Sequence, residues 1–291
     1  MKVATAAYNL DWLESWAQYE DKLDRWVAQA AGQGAELLVF PEYGAMELST
    51  LDGSEVAGDL ERSIHAVSDR MEQAQAVHQR LAQEYKTYIL GASAPVVKRS
   101  GRPVNRTALY APDGGRDHQD KQIMTRFERE DWDIAPGGPL KLFDTALGKI
   151  GVLICYDSEF PLLGRALSEA DLILVPSCTE ALAGYWRVRI GAMSRALENQ
   201  CVTVMASLVG NNDWSEAVDR NTGTGGIFGP PDKGFPPTGV LAEGTLNQPG
   251  WTYADIDLSA IAEVRADGHV LNRTHWEEQP ARVDCVTLSR L

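Results

Sequence analysis

Positive charge is in short supply: 27 Lys and Arg stand against 41 Asp and Glu, for a formal net charge of −14. Attraction to phosphates needs the opposite sign, so nucleic acid and anionic membrane surfaces are poor partners. No basic patch with interleaved aromatics occurs. Long apolar runs are missing too, since none approaches the ~20 residues that cross a bilayer. The stretch after Lys2 meets Asp11 and Glu14 too soon for a secretory signal core. With five His and four Cys, no CxxC, HxxxH or HExxH spacing arises, so neither a metal nor another cofactor is expected. A GxxxxGK phosphate loop is also absent. The irregularly spaced cysteines point to a reduced, cytoplasmic setting. No low-complexity linker divides the 291 residues, which suits one large α/β unit.

What the chain does contain is an alternation of apolar strands and helical segments, with helices expected over Trp12 to Ala31, Glu61 to Glu84 and Tyr185 to Asn199. That alternation argues for layered α/β architecture. The run Gly151-Val152-Leu153-Ile154 ends in Cys155, and a helix can begin in the residues that follow. A strand of this kind delivers a thiol to its carboxyl end, where open α/β sheets bind ligands. Buried filling is the ordinary fate of cysteine, and Cys178, Cys201 and Cys285 are read that way. A thiol of ordinary pKa, about 8.5, needs a base before it attacks.

Two upstream segments supply partners. Leu37-Leu38-Val39-Phe40 runs into Pro41, which ends a strand and leaves Glu42 at its carboxyl edge. Lys121 follows the strand-like Arg106 to Tyr110 and the turn Pro112 to Gly115, and is a cation candidate for the same edge. A Cys–His pair is disfavoured. His118 alone lies near these blocks, as a surface residue flanking a strand; His65 and His78 fall in a helical stretch, and His269 and His275 in the polar C-terminal region.

Together LLVFPEYGAMEL, HQDKQIMTRFEREDWDIAPGG and GKIGVLICYDSEFPLLGRAL resemble the glutamate, lysine and cysteine blocks of the nitrilase superfamily of carbon–nitrogen hydrolases, in order and in spacing. The likeness extends to KVATAAYN, ADLILVPS and RVRIGAMSRALENQCVTVMAS, and so covers Met1 to about Asp257. It implies a four-layer α-β-β-α sandwich, with residues 1–260 as the hydrolase domain and 261–291 as a C-terminal extension of the same domain that packs on a partner subunit of a homodimer or larger assembly. It also implies that Cys155 is the nucleophile, Glu42 the general base and Lys121 the cation facing the oxyanion, with the Tyr156 N–H as second donor. Relatives carry a second glutamate. Glu130 is favoured for it, on its spacing to Pro136-Gly137, and Glu128 is the alternative. Where many relatives place a histidine two positions after the lysine, this chain has Ile123.

Tyr43, Trp132, Glu180 and Trp186 each lie just past a block or a strand end and are candidates for the substrate pocket. Glu180 would meet a cationic or hydrogen-bonding tail, or else serve only as a helix-start residue. The expected substrate is a small linear amide or carbamoyl compound, cleaved through a cysteine thioester. A nitrile, or acyl transfer to an amine, would use the same groups. A catalytically silent metabolite-binding member is the reading from another class, and the presence of thiol, base and cation together counts against it.

Overall fold

The computed structural model describes residues 1–98, 101–283 and 286–290; Cys285 lies outside these. The chain opens with strand β1 (Lys2–Asn9), helix α1 (Trp16–Gly32) and strand β2 (Leu37–Val39). A 3₁₀ segment (Gly44–Asp52) and a single turn, α2 (Ser54–Ala57), lead into the long α3 (Leu60–Glu84). Strands β3 (Tyr88–Leu90), β4 (Ala94–Val96), β5 (Val104–Tyr110) and β6 (Arg116–Asp120) precede the short α4 (Arg126–Glu130). Next come β7 (Leu142–Thr145), β8 (Gly148–Val152), a 3₁₀ turn (Cys155–Glu159), α5 (Pro161–Ala166), β9 (Leu172–Ser177), α6 (Leu182–Asn199) and β10 (Val202–Asn211). Short strands β11 (Arg220–Asn221), β12 (Gly226–Phe228) and β13 (Val240–Glu243) are followed by β14 (Gly250–Asp255) and α7 (Leu258–Asp267).

Alternation along the strands builds the layers. In β1 and β2, Ala4, Ala6 and Leu38 join an apolar cluster with Leu23 and Val27 of α1 and Ile64 and Val67 of α3. Their neighbours Val3, Leu37 and Val39 turn to the other face and join Leu172, Leu174, Val202 and Val204. That second cluster continues to Val188, Ala192 and Ala196 of α6. One sheet half therefore has α1 and α3 outside it, the other has α6, and the two halves face each other. This is the α-β-β-α sandwich. Strand β1 links the halves by pairing with β2 over Val3–Thr5 and with β10 over Ala7–Asn9.

Local chemistry sets the ends of the helices. The Ser15 hydroxyl accepts the Gln18 N–H, so α1 starts at Trp16, and not at Trp12 as the periodicity suggests. Trp12 instead stands in the preceding loop, edge-on to Trp214. Asp59 caps α3 in the same way. Helix α7 runs through residue 260 without a break and buries Ile261 and Val264. Beyond it, the C-terminal segment packs on its own chain: Arg165 lies over the Trp276 ring and Arg273 pairs with Glu169.

Strands β3, β2, β1, β10, β9 and β8 pair in parallel, so their carboxyl ends share one rim. Strand β6 is antiparallel to β5, which is antiparallel to β3, and so it ends at that rim as well. Glu42, Lys121, Cys155 and Cys178 all follow these ends.

Candidate active site

Glu42 is carried by a sharp turn. Pro41 ends the pairing of β2, and Tyr43 is left-handed with φ of 55°, a conformation that costs a non-glycine residue free energy and recurs where function requires it. The Ser93 hydroxyl accepts the Tyr43 N–H at 2.9 Å and holds the turn. Below it, a buried Lys22–Glu47 pair at 2.6 Å ties α1 to the 3₁₀ segment that follows. Glu42 itself is buried. It accepts from Lys121 Nζ at 2.7 Å, from Asn105 Nδ2 at 2.9 Å and from the Cys178 N–H at 2.9 Å. Burial raises its carboxyl above the ordinary value; Lys121 opposes this and Glu128 adds to it.

Lys121 is buried at the end of β6 with its ammonium between two carboxylates, Glu42 at 2.7 Å and Glu128 at 2.7 Å. Burial would lower its pKa, but those two charges hold it well above the usual lysine value, so it stays cationic. Glu128 owes its direction to the cap of α4. The Thr125 hydroxyl accepts the Glu128 N–H, and the Glu128 carboxylate reaches back to the Thr125 N–H at 2.8 Å. This capping box turns Glu128 inward. Its other oxygen accepts the Tyr43 hydroxyl at 2.7 Å. Although burial raises the Glu128 carboxyl, Lys121 and these donors bring it below the ordinary value. Glu130, favoured from the sequence as the second carboxylate, is a correction. It projects from the opposite face of the helix, half-exposed, and pairs with Arg126 at 2.7 Å, because residues two apart on a helix do not share a face.

Cys155 also sits at a left-handed position, with φ of 50°, where β8 breaks into a 3₁₀ turn. The residue is buried, and its thiol donates to the Cys178 carbonyl at 3.7 Å. Burial pushes the thiol well above its ordinary pKa, Glu42 adds to the rise, and Lys121 opposes it. The resting site thus holds a neutral thiol beside a carboxylate of raised proton affinity and a fixed cation.

The carbon–nitrogen hydrolase family model matches residues 2–266. The chain belongs to the carbon–nitrogen hydrolase family. It is 32% identical over 272 residues to the probable hydrolase YhcX of Bacillus subtilis (strain 168), covering 93% of this chain and 52% of that protein. The chain therefore spans about half the length of that relative. It is 27% identical over 266 residues to the deaminated glutathione amidase of Synechocystis sp., covering 81% of this chain and 85% of that one. The fold superposes, with a TM-score of 0.70 and 22% identity, on a glutamate-to-glutamine mutant of the amidase from Nesterenkonia sp. AN1 that carries acrylamide at its active-site cysteine; the match covers 94% of this chain and 99% of that one.

In this member of the carbon–nitrogen hydrolase family, a cavity of about 590 Å³ opens onto Glu42, Lys121, Glu128 and Cys155. Tyr43, Trp132, Tyr156 and Glu180 are among the residues that line it. Trp132 is buried, its indole N–H held by the Leu60 carbonyl at 3.1 Å. Trp186 is a second correction: it is not among the lining residues. It lies on the outer face of α6, half-exposed, with the Arg189 guanidinium over its ring. Sequence reading also missed Asn105, whose amide donates to Glu42, and Cys178, which is no inert filler: its N–H and carbonyl hold Glu42 and Cys155. A signal for Glu128 was present in Thr125-Arg126-Phe127-Glu128, the sequence form of a capping box. No periodic pattern marks Asn105 or a backbone contact.

Proposed function

We propose that this protein hydrolyses a non-peptide carbon–nitrogen bond in a small amide or carbamoyl compound through a thioester on Cys155. The observation that carries the reading is the buried Glu42–Lys121–Glu128 cluster facing Cys155 across one cavity. The substrate carbonyl sits above the sulfur. Cys155 attacks the carbonyl carbon as Glu42 takes the thiol proton. The Lys121 ammonium and the Tyr156 N–H receive the developing oxyanion. Collapse of the adduct breaks the C–N bond, and Glu42 returns the proton to the departing ammonia or amine. Water then attacks the thioester, Glu42 again accepts the proton, and the carboxylic acid leaves with the thiol restored. Glu128 keeps Lys121 charged and in place.

Glu180, Glu216 and Asp219 line the cavity together with Arg126, Arg187 and Arg220, an array of both signs that favours a substrate with a polar far end, of which Glu180 would meet a cationic or hydrogen-bonding group. Ammonia release is measured across amides, ureido acids and nitriles beside a Cys155→Ala control. Release from an amide or ureido acid that vanishes in the control is the expected result. Release only from nitriles, or release that survives in the control, would overturn the proposal.

The assembly is proposed to be a homodimer through the outer face of α6, where Leu182, Trp186, Ile190 and Leu197 leave an exposed apolar stripe. A monomer mass in sedimentation at micromolar concentration would remove that part.

A further inference from the structure

We infer that Asp157 is a positioning residue that sets the spacing between the Lys121 ammonium and the Cys155 sulfur. The inference rests on the proposed hydrolase reading. Asp157 does not face the cavity; it lies beneath it, buried, two residues past the nucleophile. Its carboxylate accepts the Gln122 N–H at 3.1 Å to each oxygen and the Ile123 N–H at 2.8 Å. It also accepts the Ile154 N–H at 3.3 Å. One side chain thus binds the two residues that follow Lys121 and the residue that precedes Cys155. Main-chain segments separated by more than thirty residues are clamped at the points where each delivers its reactive group.

The fold spends stability on this contact. Burial pushes the Asp157 carboxyl up to about 7, with Lys121 drawing it down and Glu42 adding to the rise. A carboxyl whose folded pKa lies above its unfolded value of 3.8 stabilises the fold most below that unfolded value, and loses this contribution as pH rises towards the folded one. A neutral residue would be the cheaper choice if the turn needed filling alone. What the carboxylate provides is acceptor capacity on two oxygens for backbone N–H groups converging from two loops, which neither an amide nor a hydroxyl supplies. Displacing a catalytic group by about 1 Å can cost about 100-fold in rate. That is the effect expected when the clamp is loosened.

The test uses the full chain with Asp157→Asn, which keeps the shape but turns an N–H₂ group towards the donors, and Asp157→Glu, which keeps charge and acceptors but displaces them by one methylene. For each variant, kcat and KM are measured on the best substrate of the amide panel, with the rate of Cys155 alkylation by iodoacetamide and the melting temperature. Expected is a fall in kcat of about 10- to 100-fold with KM within about threefold, and an altered alkylation rate at Cys155. The order is wild type, then Asp157→Glu, then Asp157→Asn. Should Asp157→Asn not fold, a lowered kcat with unchanged KM in a folded Asp157→Glu supports the inference alone. Wild-type kcat and alkylation rates in either folded variant overturn it. Alkylation needs no substrate, so a clamp failure is distinct from failure of the hydrolase reading, which appears as wild-type ammonia release that survives Cys155→Ala.

Discussion

Glu128 and Glu130 are chemically the same residue two positions apart, and about 200° of helix rotation separates their roles. Glu128 shares the Lys121 ammonium with Glu42 in a buried cluster, where removing one charged partner alters the field on the other two. Glu130 holds an exposed pair with Arg126, worth little. Glu128→Gln is therefore expected to lower kcat by about 100-fold or more, and Glu130→Gln to leave it within about twofold; steady-state kinetics on one amide compares them. The sequence offered both glutamates, and spacing to Pro136-Gly137 pointed to the wrong one. Distance along the chain does not report which side of a helix a residue takes, whereas the capping pattern that begins at Thr125 does. Glu42 and Cys155 were suggested by apolar strands that end just before them, whereas Lys121 follows the polar strand β6 and was suggested by its block's resemblance and by the strand and turn upstream of it. Asn105 lies inside strand β5, where a buried polar residue has no pattern of its own.

At the scale of elements, the parallel run β2-β1-β10-β9-β8 explains why groups far apart in sequence meet at one edge. The alternation of strands and helices announced that arrangement, and α3 and α6 stand within a few residues of expectation. Helix α1 starts late because a serine cap, not apolar periodicity, fixes its first turn. The outer position of Trp186 was hidden for a similar reason: periodicity locates a helix, but its rotation depends on what it packs against. Helix α6 packs closely on the turn that holds Cys155, because Gly191 lacks a side chain: a Cβ there would stand 2.8 Å from the Ser158 carbonyl oxygen. The Ser158 hydroxyl in turn donates to the Cys155 carbonyl at 2.7 Å. Gly191→Ala forces helix and turn apart, and is expected to lower stability by about 1–3 kcal/mol together with kcat. Chemical denaturation and kinetics on the same preparation check it; unchanged values of both would show that the contact is slack.

For the whole molecule, the four layers enclose a cavity whose chemistry is built from buried charge. Taking Glu42, Lys121 and Glu128 out of water is costly, and the cost is offset only by close mutual pairing and by hydrogen bonds from Asn105, Tyr43, Thr125 and the Cys178 backbone. Natural folds keep such clusters where function requires them. No described helix is both long and apolar enough to cross a membrane, and the cavity mouth carries charges of both signs, Glu180, Glu216 and Asp219 beside Arg126, Arg187 and Arg220. Layering and rim were readable from the sequence because they follow from strand alternation, while the contents of the cavity wall depend on loops that carry no periodic signal. The most direct test of the account is to trap the thioester: the protein is mixed with a substrate of the panel, quenched in acid within the first turnovers, digested and weighed. The account predicts that the peptide containing Cys155 gains the mass of the substrate acyl group, and that Cys155→Ala shows neither that gain nor product. Steady product formation by the Cys155→Ala protein, or an acyl group found on a different residue, would contradict it.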